Sequence, residues 1–241
     1  MAGQPTRKTP WRAAIRDARL WLLLLAAVLT LVDGYLIFVV APTDAVLGHI
    51  QRIFYIHVPI SILSFLGFLL CAIAGIGYLI RRGESWDRLA HASAEVGVVF
   101  VTLALITGVI WARPVWGVWW TWEPRLTTTL ILWFIYVAYL MIRQYAPTPQ
   151  QGRVWSAVVG IIGFVDVPIV YYSVQWWRSI HPVQVIGPEA ADDALEPIMA
   201  RILIFSLVAT LALFGYLLLE RMALRKTEDT LAQLRRDANS D

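Results

Sequence analysis

Long apolar runs separated by short polar segments dominate the chain. Six runs are present, at residues 20–40, 58–80, 92–111, 126–142, 154–174 and 202–219. A helix needs about 20 residues to cross a hydrocarbon core about 30 Å thick, and each run is close to that length. The runs have no alternating polar face, which favours helices in lipid over the strands of a barrel. We therefore predict an all-α integral membrane protein with six transmembrane helices.

Composition supports the membrane class. Hydrophobic residues make up 59% of the 241 residues and charged residues 15%, whereas a soluble domain carries roughly 25% charged residues. The first run follows basic residues and so also resembles a secretory signal. It is longer than the roughly 7–15 apolar residues of a signal, and no small-x-small cleavage site follows near Pro42. We interpret it as an uncleaved helix.

Lys and Arg residues divide unevenly between two alternating sets of connecting segments. One set holds 15 of them and the other 5. The basic set comprises residues 1–19, 81–91, 143–153 and 220–241. Because basic loops stay on the cytoplasmic side, both termini are expected there, within a single six-helix domain spanning residues 1–241. The cytoplasmic ends are then residues 1–19 and 221–241, and a Trp-rich loop at 112–125 faces outwards. The net charge of +3 therefore indicates topology and not nucleic-acid binding.

Cysteine and glycine usage exclude several kinds of chemistry. Cys71 is the only cysteine, so there is no disulfide framework, CxxC redox pair, zinc ribbon or CxxCH motif for covalent haem attachment. Gly75 and Gly77 lie inside an apolar run, where glycine is common, and they do not form a phosphate-binding loop. A nucleotidase that works with this protein is therefore expected to be a different chain.

Tryptophan is concentrated in one short stretch. Five fall within twelve positions: Trp111, Trp116, Trp119, Trp120 and Trp122. Trp116, Trp119 and Trp120 stand at i, i+3 and i+4, which predicts one flat apolar face on a short helix lying on the membrane. Such a face would suit a membrane anchor, a partner contact or a platform for a large planar ligand. Composition leaves anchoring and ligand binding equally open.

Histidines on the outer side suggest a ligand. His49, His57 and His181 fall in segments assigned to that face, whereas His91 lies near the inner start of the third helix and is interpreted as structural. A lone histidine usually has only a hydrogen-bonding role, but imidazole is also a common ligand of haem iron. A planar macrocycle with carboxylates would need aromatic walls, imidazoles and guanidinium groups. The outer arginines available for the carboxylates are Arg52, Arg113, Arg125 and Arg178.

Three segments resemble a known family. WGVWWTWEPRLTTTLILWFIYVAYL at 116–140 resembles the tryptophan-rich signature of the haem-handling protein family. QRIFYIHVPISILSF at 51–65 and VPIVYYSVQWWRSIHP at 167–182 agree with its cytochrome c maturation protein C (CcmC) branch. The resemblance covers nearly the whole chain. Other branches are longer, with more helices and additional histidines.

The resemblance implies roles for individual residues. His57 and His181 match the family's axial ligands of a non-covalent b-type haem held at the outer surface. The aromatic platform and its charged end match Trp116, Trp119, Trp120, Trp122, Glu123 and Arg125. The family commonly has Asp where this chain has Glu123 followed by Pro124. The carboxylate therefore reaches one methylene further from a stiffer turn. Arg52 and Arg178 are expected near the haem carboxylates.

The resemblance also implies a setting and partners. Family members work at the external, periplasmic face of the bacterial inner membrane and present haem to a membrane-tethered haem chaperone. They act beside an ABC transporter ATPase and its membrane subunit, with a small single-helix membrane subunit as an optional member. Since no covalent bond is made on this chain, it is not expected to be an enzyme.

Two other classes remain as alternatives. A transporter that itself moves haem across the membrane would need a polar track, for which Asp33, Glu95 and Asp166 are the intramembrane candidates. These are too few for a continuous track. A b-haem electron-transfer or quinone enzyme usually places paired histidines within facing helices at membrane depth, and His57 lies only at the end of its predicted helix.

Overall fold

The computed structural model describes residues 10–182 and 195–239, with side chains from residue 18 onwards. Its helices are α1 (Pro10–Tyr35, continued by a π-helical turn, Leu36–Val40), α2 (Phe54–Arg81, preceded by a 3-10 turn, His49–Ile53), α3 (Glu84–Trp116), α4 (Pro124–Tyr145), α5 (Pro149–Phe164), α6 (Asp166–Trp176) and α7 (Pro197–Ala238). Six helical spans are long and apolar enough to cross a membrane. The predicted all-α, six-helix architecture is confirmed.

The fifth span consists of two helices. α5 and α6 together form the apolar segment Pro149–Trp176, and the α-helix is interrupted between them at Val165. Asp166, one of the carboxylates predicted to lie in the membrane, begins α6 directly after this interruption. Asp33 has a structural role. Its Oδ1 accepts a hydrogen bond from Ser206 Oγ at 2.6 Å, which connects α1 to α7.

Several helices are longer than the sequence predicts. α2 begins at Phe54 and not at residue 58, so His57 lies inside the helix. α3 continues to Trp116, and α4 begins at Pro124, which leaves residues 117–123 as the non-helical part of the predicted 112–125 loop. α7 continues to Ala238, well beyond the end of its apolar run at residue 219. Its 42 residues span about 63 Å at 1.5 Å per residue, about twice the hydrocarbon thickness.

α2 and α3 form the centre of the bundle because two glycines allow a close approach. A Cβ on Gly67 would lie 3.0 Å from Gly97 Cα, and a Cβ on Gly97 would lie 2.7 Å from Phe68 Cε1. Small residues at such crossings are the usual means by which membrane helices pack closely. Phe68 in turn stacks on Tyr136 of α4, with ring centroids 3.7 Å apart. This packing fixes α3 against α2, and the site described below depends on that contact.

One end of the bundle, the basic end, is held by ion pairs around the start of α3. Asp87 is buried and accepts from Arg143 Nη1 at 2.6 Å, with Arg153 Nε 3.3 Å away. Glu95, the third predicted membrane carboxylate, accepts from Arg221 Nε at 2.9 Å. His91 lies in the same network, since Arg143 Nε donates to its Nδ1 at 2.6 Å and Arg225 Nη2 is 2.8 Å from its Nε2. These contacts join α3, α4, α5 and α7, and they pair the buried Asp87 carboxylate, which would be costly if left alone.

Candidate functional site

The opposite end, the tryptophan end, comprises residues 41–57, 107–127 and 171–182. α3 ends there because Gly117 adopts the left-handed conformation, with φ of 78°. The Arg113 side chain donates to the Gly117 carbonyl, so this arginine completes the helix end. Because the helix stops at Trp116, the predicted helical face of Trp116, Trp119 and Trp120 is wrong. The indoles project from a helix end and an extended loop.

Glu123 begins the next helix and also connects two segments of the tryptophan end. Its Oε1 accepts from Leu126 N at 2.7 Å, which caps α4, and Pro124 occupies the first helical position. Its Oε2 accepts from the Ser179 hydroxyl. The buried Glu123 carboxylate therefore fixes the Trp loop to the segment that carries His181. The sequence had indicated only a charged end to the Trp platform and had not singled out Ser179.

His57 is held by three residues of α3. Its Nδ1 is 2.9 Å from Thr107 Oγ1, and its ring lies edge-on to Trp111 with centroids 5.9 Å apart. Gly108 leaves space for the ring, because a Cβ there would lie 3.2 Å from His57 Cε1. The hydrogen bond to Thr107 uses Nδ1 and not Nε2. The ring is therefore fixed with one nitrogen available.

His181 lies beyond α6 and packs against the end of α3. Its ring is edge-on to Trp116, with centroids 5.9 Å apart, and its backbone N–H donates to Ser179 Oγ at 3.1 Å. Burial, followed by the charges of Arg125 and His57, lowers the pKa of His181 to about 3. The imidazole is therefore neutral at pH 7. Its Nδ1 is 3.9 Å from Glu123 Oε1, too long for a hydrogen bond. Because the imidazole is neutral, the two side chains do not form an ion pair either.

Arg125 lies close enough to both histidines to affect them electrostatically. Its charge acts on His57 and His181, and His57 also acts on His181. The other predicted arginines differ in position. Arg52 has a buried Nε without a partner among the described residues, whereas Arg178 is exposed. His49 is also exposed, on the 3-10 turn before α2.

The tryptophans divide into two groups. Trp116 and Trp120 are half-buried, whereas Trp119 is 58% and Trp122 is 75% exposed. Two further indoles, at Trp176 and Trp177, are 58% and 49% exposed at the end of α6. The exposed tryptophans, which we call the aromatic rim, are Trp119, Trp122, Trp176 and Trp177. The last two were not among the site residues predicted from sequence.

Polar atoms at this end are suited to a large ligand that accepts hydrogen bonds. Many of the buried side-chain polar atoms without a partner, within the described part of the chain, lie here: Arg52 Nε, Tyr55 OH, Trp111 Nε1, Trp120 Nε1, Thr121 Oγ1, Thr127 Oγ1 and His181 Nδ1. Buried donors without partners are costly, and a ligand with carboxylates would pair several of them. Two neutral imidazoles, aromatic rings and guanidinium groups fit a haem with its propionates.

Comparison with known proteins also points to haem. The family model described as Heme exporter protein C matches residues 3–237. Proteins named Heme exporter protein C from Bradyrhizobium diazoefficiens and Escherichia coli K12 are each 34% identical to the chain and cover 84% of it. The match spans 74% of the first relative and 81% of the second. A ccmC-like mitochondrial protein of cytochrome c biosynthesis from Marchantia polymorpha is 31% identical over 74% of the chain and 75% of its own length.

The family match covers almost every residue, and the six spans agree with a multi-pass membrane protein. The predicted CcmC resemblance is confirmed. The chain therefore belongs to the Heme exporter protein C (CcmC) family of membrane proteins, which handle haem in cytochrome c maturation.

Proposed function

We propose that this protein holds a non-covalent b-type haem at its tryptophan end, with His57 and His181 as axial ligands, and passes it to a membrane-tethered haem chaperone. The ABC transporter ATPase and membrane subunit that work with the family would act on the resulting complex, with a small single-helix membrane subunit as an optional member. The chain itself makes no covalent bond to the haem. Haem is the cargo here, and the protein's task is to bind and release it.

The observation that carries the proposal is the convergence of His57, His181 and Arg125 from three separate segments. α2 supplies a helix-bound imidazole, and the segment after α6 supplies a neutral, half-buried one. Arg125, in the first turn of α4, lies in electrostatic range of both. A neutral imidazole offers a lone pair to iron, and a nearby guanidinium can pair with a propionate. Neither contact is covalent, so the haem can leave intact.

The aromatic rim supports a role in transfer. Its exposed indoles lie on the two segments that carry Glu123 and His181, and large exposed apolar patches on proteins mark binding surfaces. The propionates would lie near Arg125 and Arg52, and the platform would be completed by Trp116 and Trp120. Glu123 contributes by holding the Trp loop and the His181 segment together. A chaperone that covers the aromatic rim would then meet the edge of the bound haem.

A transporter function is less well supported by the structure. Asp33 is bonded to Ser206, and Glu95 is paired with arginines at the basic end. Asp166 alone has a buried carboxylate oxygen without a partner, within the described residues. No hydrogen bond or ion pair links these three carboxylates to one another among the described residues, so they do not form a chain of polar groups.

We expect the tryptophan end to face the periplasm, because the basic end carries most of the Lys and Arg. Reporter fusions after Arg82, Tyr145 and Asp241 should read cytoplasmic. Fusions near Pro42, Trp116 and Pro188 should read external. An external reading at Tyr145 would contradict the orientation and would place the two histidines on different sides.

The experiment for the proposed function is a transfer assay with the purified, haem-loaded protein. Mixing it with the apo-chaperone should move the haem absorption from the chain to the chaperone, and adding the ATPase complex with ATP should release the loaded chaperone. An equal rate of transfer from free haem, without this protein, would show that the chain does not present haem.

A further inference from the structure

We infer that Thr107 is a positioning residue that selects the tautomer of His57 and so presents its Nε2 to the haem iron. The inference rests on the haem ligation proposed above. Thr107 lies on α3, and its Oγ1 is 2.9 Å from His57 Nδ1. Either atom of this pair can supply the proton of the hydrogen bond. The remaining contacts of Thr107 determine which one does.

The Thr107 hydroxyl has two backbone acceptors in its own helix. Its Oγ1 is 2.8 Å from the Leu103 carbonyl oxygen and 3.2 Å from that of Ala104. A carbonyl oxygen can only accept a hydrogen bond. If the hydroxyl proton pointed at His57, two oxygen atoms would face each other at hydrogen-bond distance with no proton between them. The hydroxyl therefore donates to the helix, as threonines in helices commonly do, and accepts from His57 Nδ1–H.

This direction determines the state of His57. A neutral imidazole carries a single N–H, so a proton on Nδ1 leaves the lone pair on Nε2. Metal-binding histidines generally donate their other N–H to a fixed acceptor, and loss of that acceptor lowers metal affinity about 10- to 100-fold. Gly108 and Trp111 contact the ring on other sides and limit its rotation. The Ala104 carbonyl oxygen also bonds the His57 ring and can only accept. Both polar neighbours of the ring on α3 therefore favour the tautomer that iron binding needs, and Thr107 is the one whose side chain can be replaced.

His181 has no equivalent partner. Its Nδ1 is buried without a hydrogen-bond partner among the described residues, and it lies outside the helices on the segment after α6. Thr107 therefore acts on one axial ligand only. Its removal should affect the His57 bond to iron and leave the contacts of His181 unchanged.

The first test compares two substitutions at the same position. Thr107→Val keeps the branched shape and removes the hydroxyl, and we expect haem to leave for an apomyoglobin trap about 10-fold faster. Thr107→Ser retains the hydroxyl and should restore the wild-type rate. Thr102→Val is the matched control, because Thr102 makes the same bond to its own helix (Val98 O, 2.6 Å) but accepts from Trp133 Nε1 and not from a histidine. Equal rates for Thr107→Val and Thr102→Val would overturn the inference.

The second test separates a role in hydrogen bonding from a role in packing. In His57→Gly, added imidazole should restore a low-spin haem spectrum by occupying the vacated space. Adding Thr107→Val to this variant should weaken imidazole binding about 10-fold. Binding of 1-methylimidazole, which has no N–H when bound to iron, should not change.

The outcomes distinguish the two proposals. If Thr107→Val weakens the binding of imidazole and of 1-methylimidazole equally, Thr107 does not act through the N–H. The inference then fails, although His57 remains an axial ligand. If imidazole restores no low-spin spectrum in His57→Gly, His57 is not a ligand. In that case the proposed haem ligation fails first and the role of Thr107 fails with it.

Discussion

His57→Ala and His181→Ala should each lose most of the haem that co-purifies with the wild-type protein. Each substitution removes a coordinate bond, and the described structure has no third imidazole in contact with either ring to replace it. His57 is fixed by Thr107 and Trp111, and His181 by Trp116 and Ser179. Neither ring can move to take over both positions. The measurement is haem content per protein with the visible absorption spectrum.

Two other histidines provide the controls. His91→Ala alters the ion network at the basic end and should leave the haem spectrum of the folded protein unchanged. His49→Ala removes an exposed side chain next to the site and should also retain haem. If His49→Ala abolished binding and His181→Ala did not, the assignment of the second ligand would be wrong.

Trp119→Ala and Trp122→Ala should separate haem binding from haem delivery. Both indoles are largely exposed, so neither substitution removes much contact with the site itself. Covered by a chaperone, each would contribute roughly 1–3 kcal/mol, which corresponds to about 5- to 150-fold in affinity. We expect near-normal haem content, weaker chaperone pull-down and a lower yield of cytochrome c. The three quantities should be measured on the same set of variants.

Two further substitutions make this test specific. Trp116→Ala should reduce haem content, because Trp116 contacts His181. Trp21→Ala removes an indole that is 70% exposed on α1, away from the site, and should change neither haem content nor delivery. If Trp119→Ala and Trp122→Ala delivered haem at the wild-type rate, the aromatic rim would be a membrane anchor only.

The helix pattern could be predicted from sequence because lipid imposes a length and an apolar composition on each span. The boundaries could not, because local interactions set them. Gly117 and the Arg113 side chain end α3 five residues beyond its apolar run. α7 continues beyond its apolar run, and the residues that follow the run form ion pairs with α3 through Arg221 and Arg225. Hydropathy does not register such contacts.

The candidate site was only partly predictable for a similar reason. The histidines, Arg125 and the Trp loop are chemically distinctive, and the family resemblance indicated them. Thr107 and Gly108 are ordinary residues in an apolar run, and their contact with His57 depends on how α2 packs against α3. Ser179 is likewise visible only once the His181 segment lies against Glu123. The i, i+3, i+4 spacing of tryptophans suggested a helix, but the left-handed Gly117 ends it.

The central claim is that His57 and His181 both bind the iron of one haem. The most direct measurement is pulsed electron paramagnetic resonance of the ferric, haem-loaded protein containing ¹⁵N-labelled histidine. The proposed ligation predicts a low-spin signal with hyperfine coupling to two histidine nitrogens, one of which is lost in His57→Ala and the other in His181→Ala. A high-spin signal from the wild-type protein, or coupling to two histidine nitrogens in the haem that either variant retains, would contradict it.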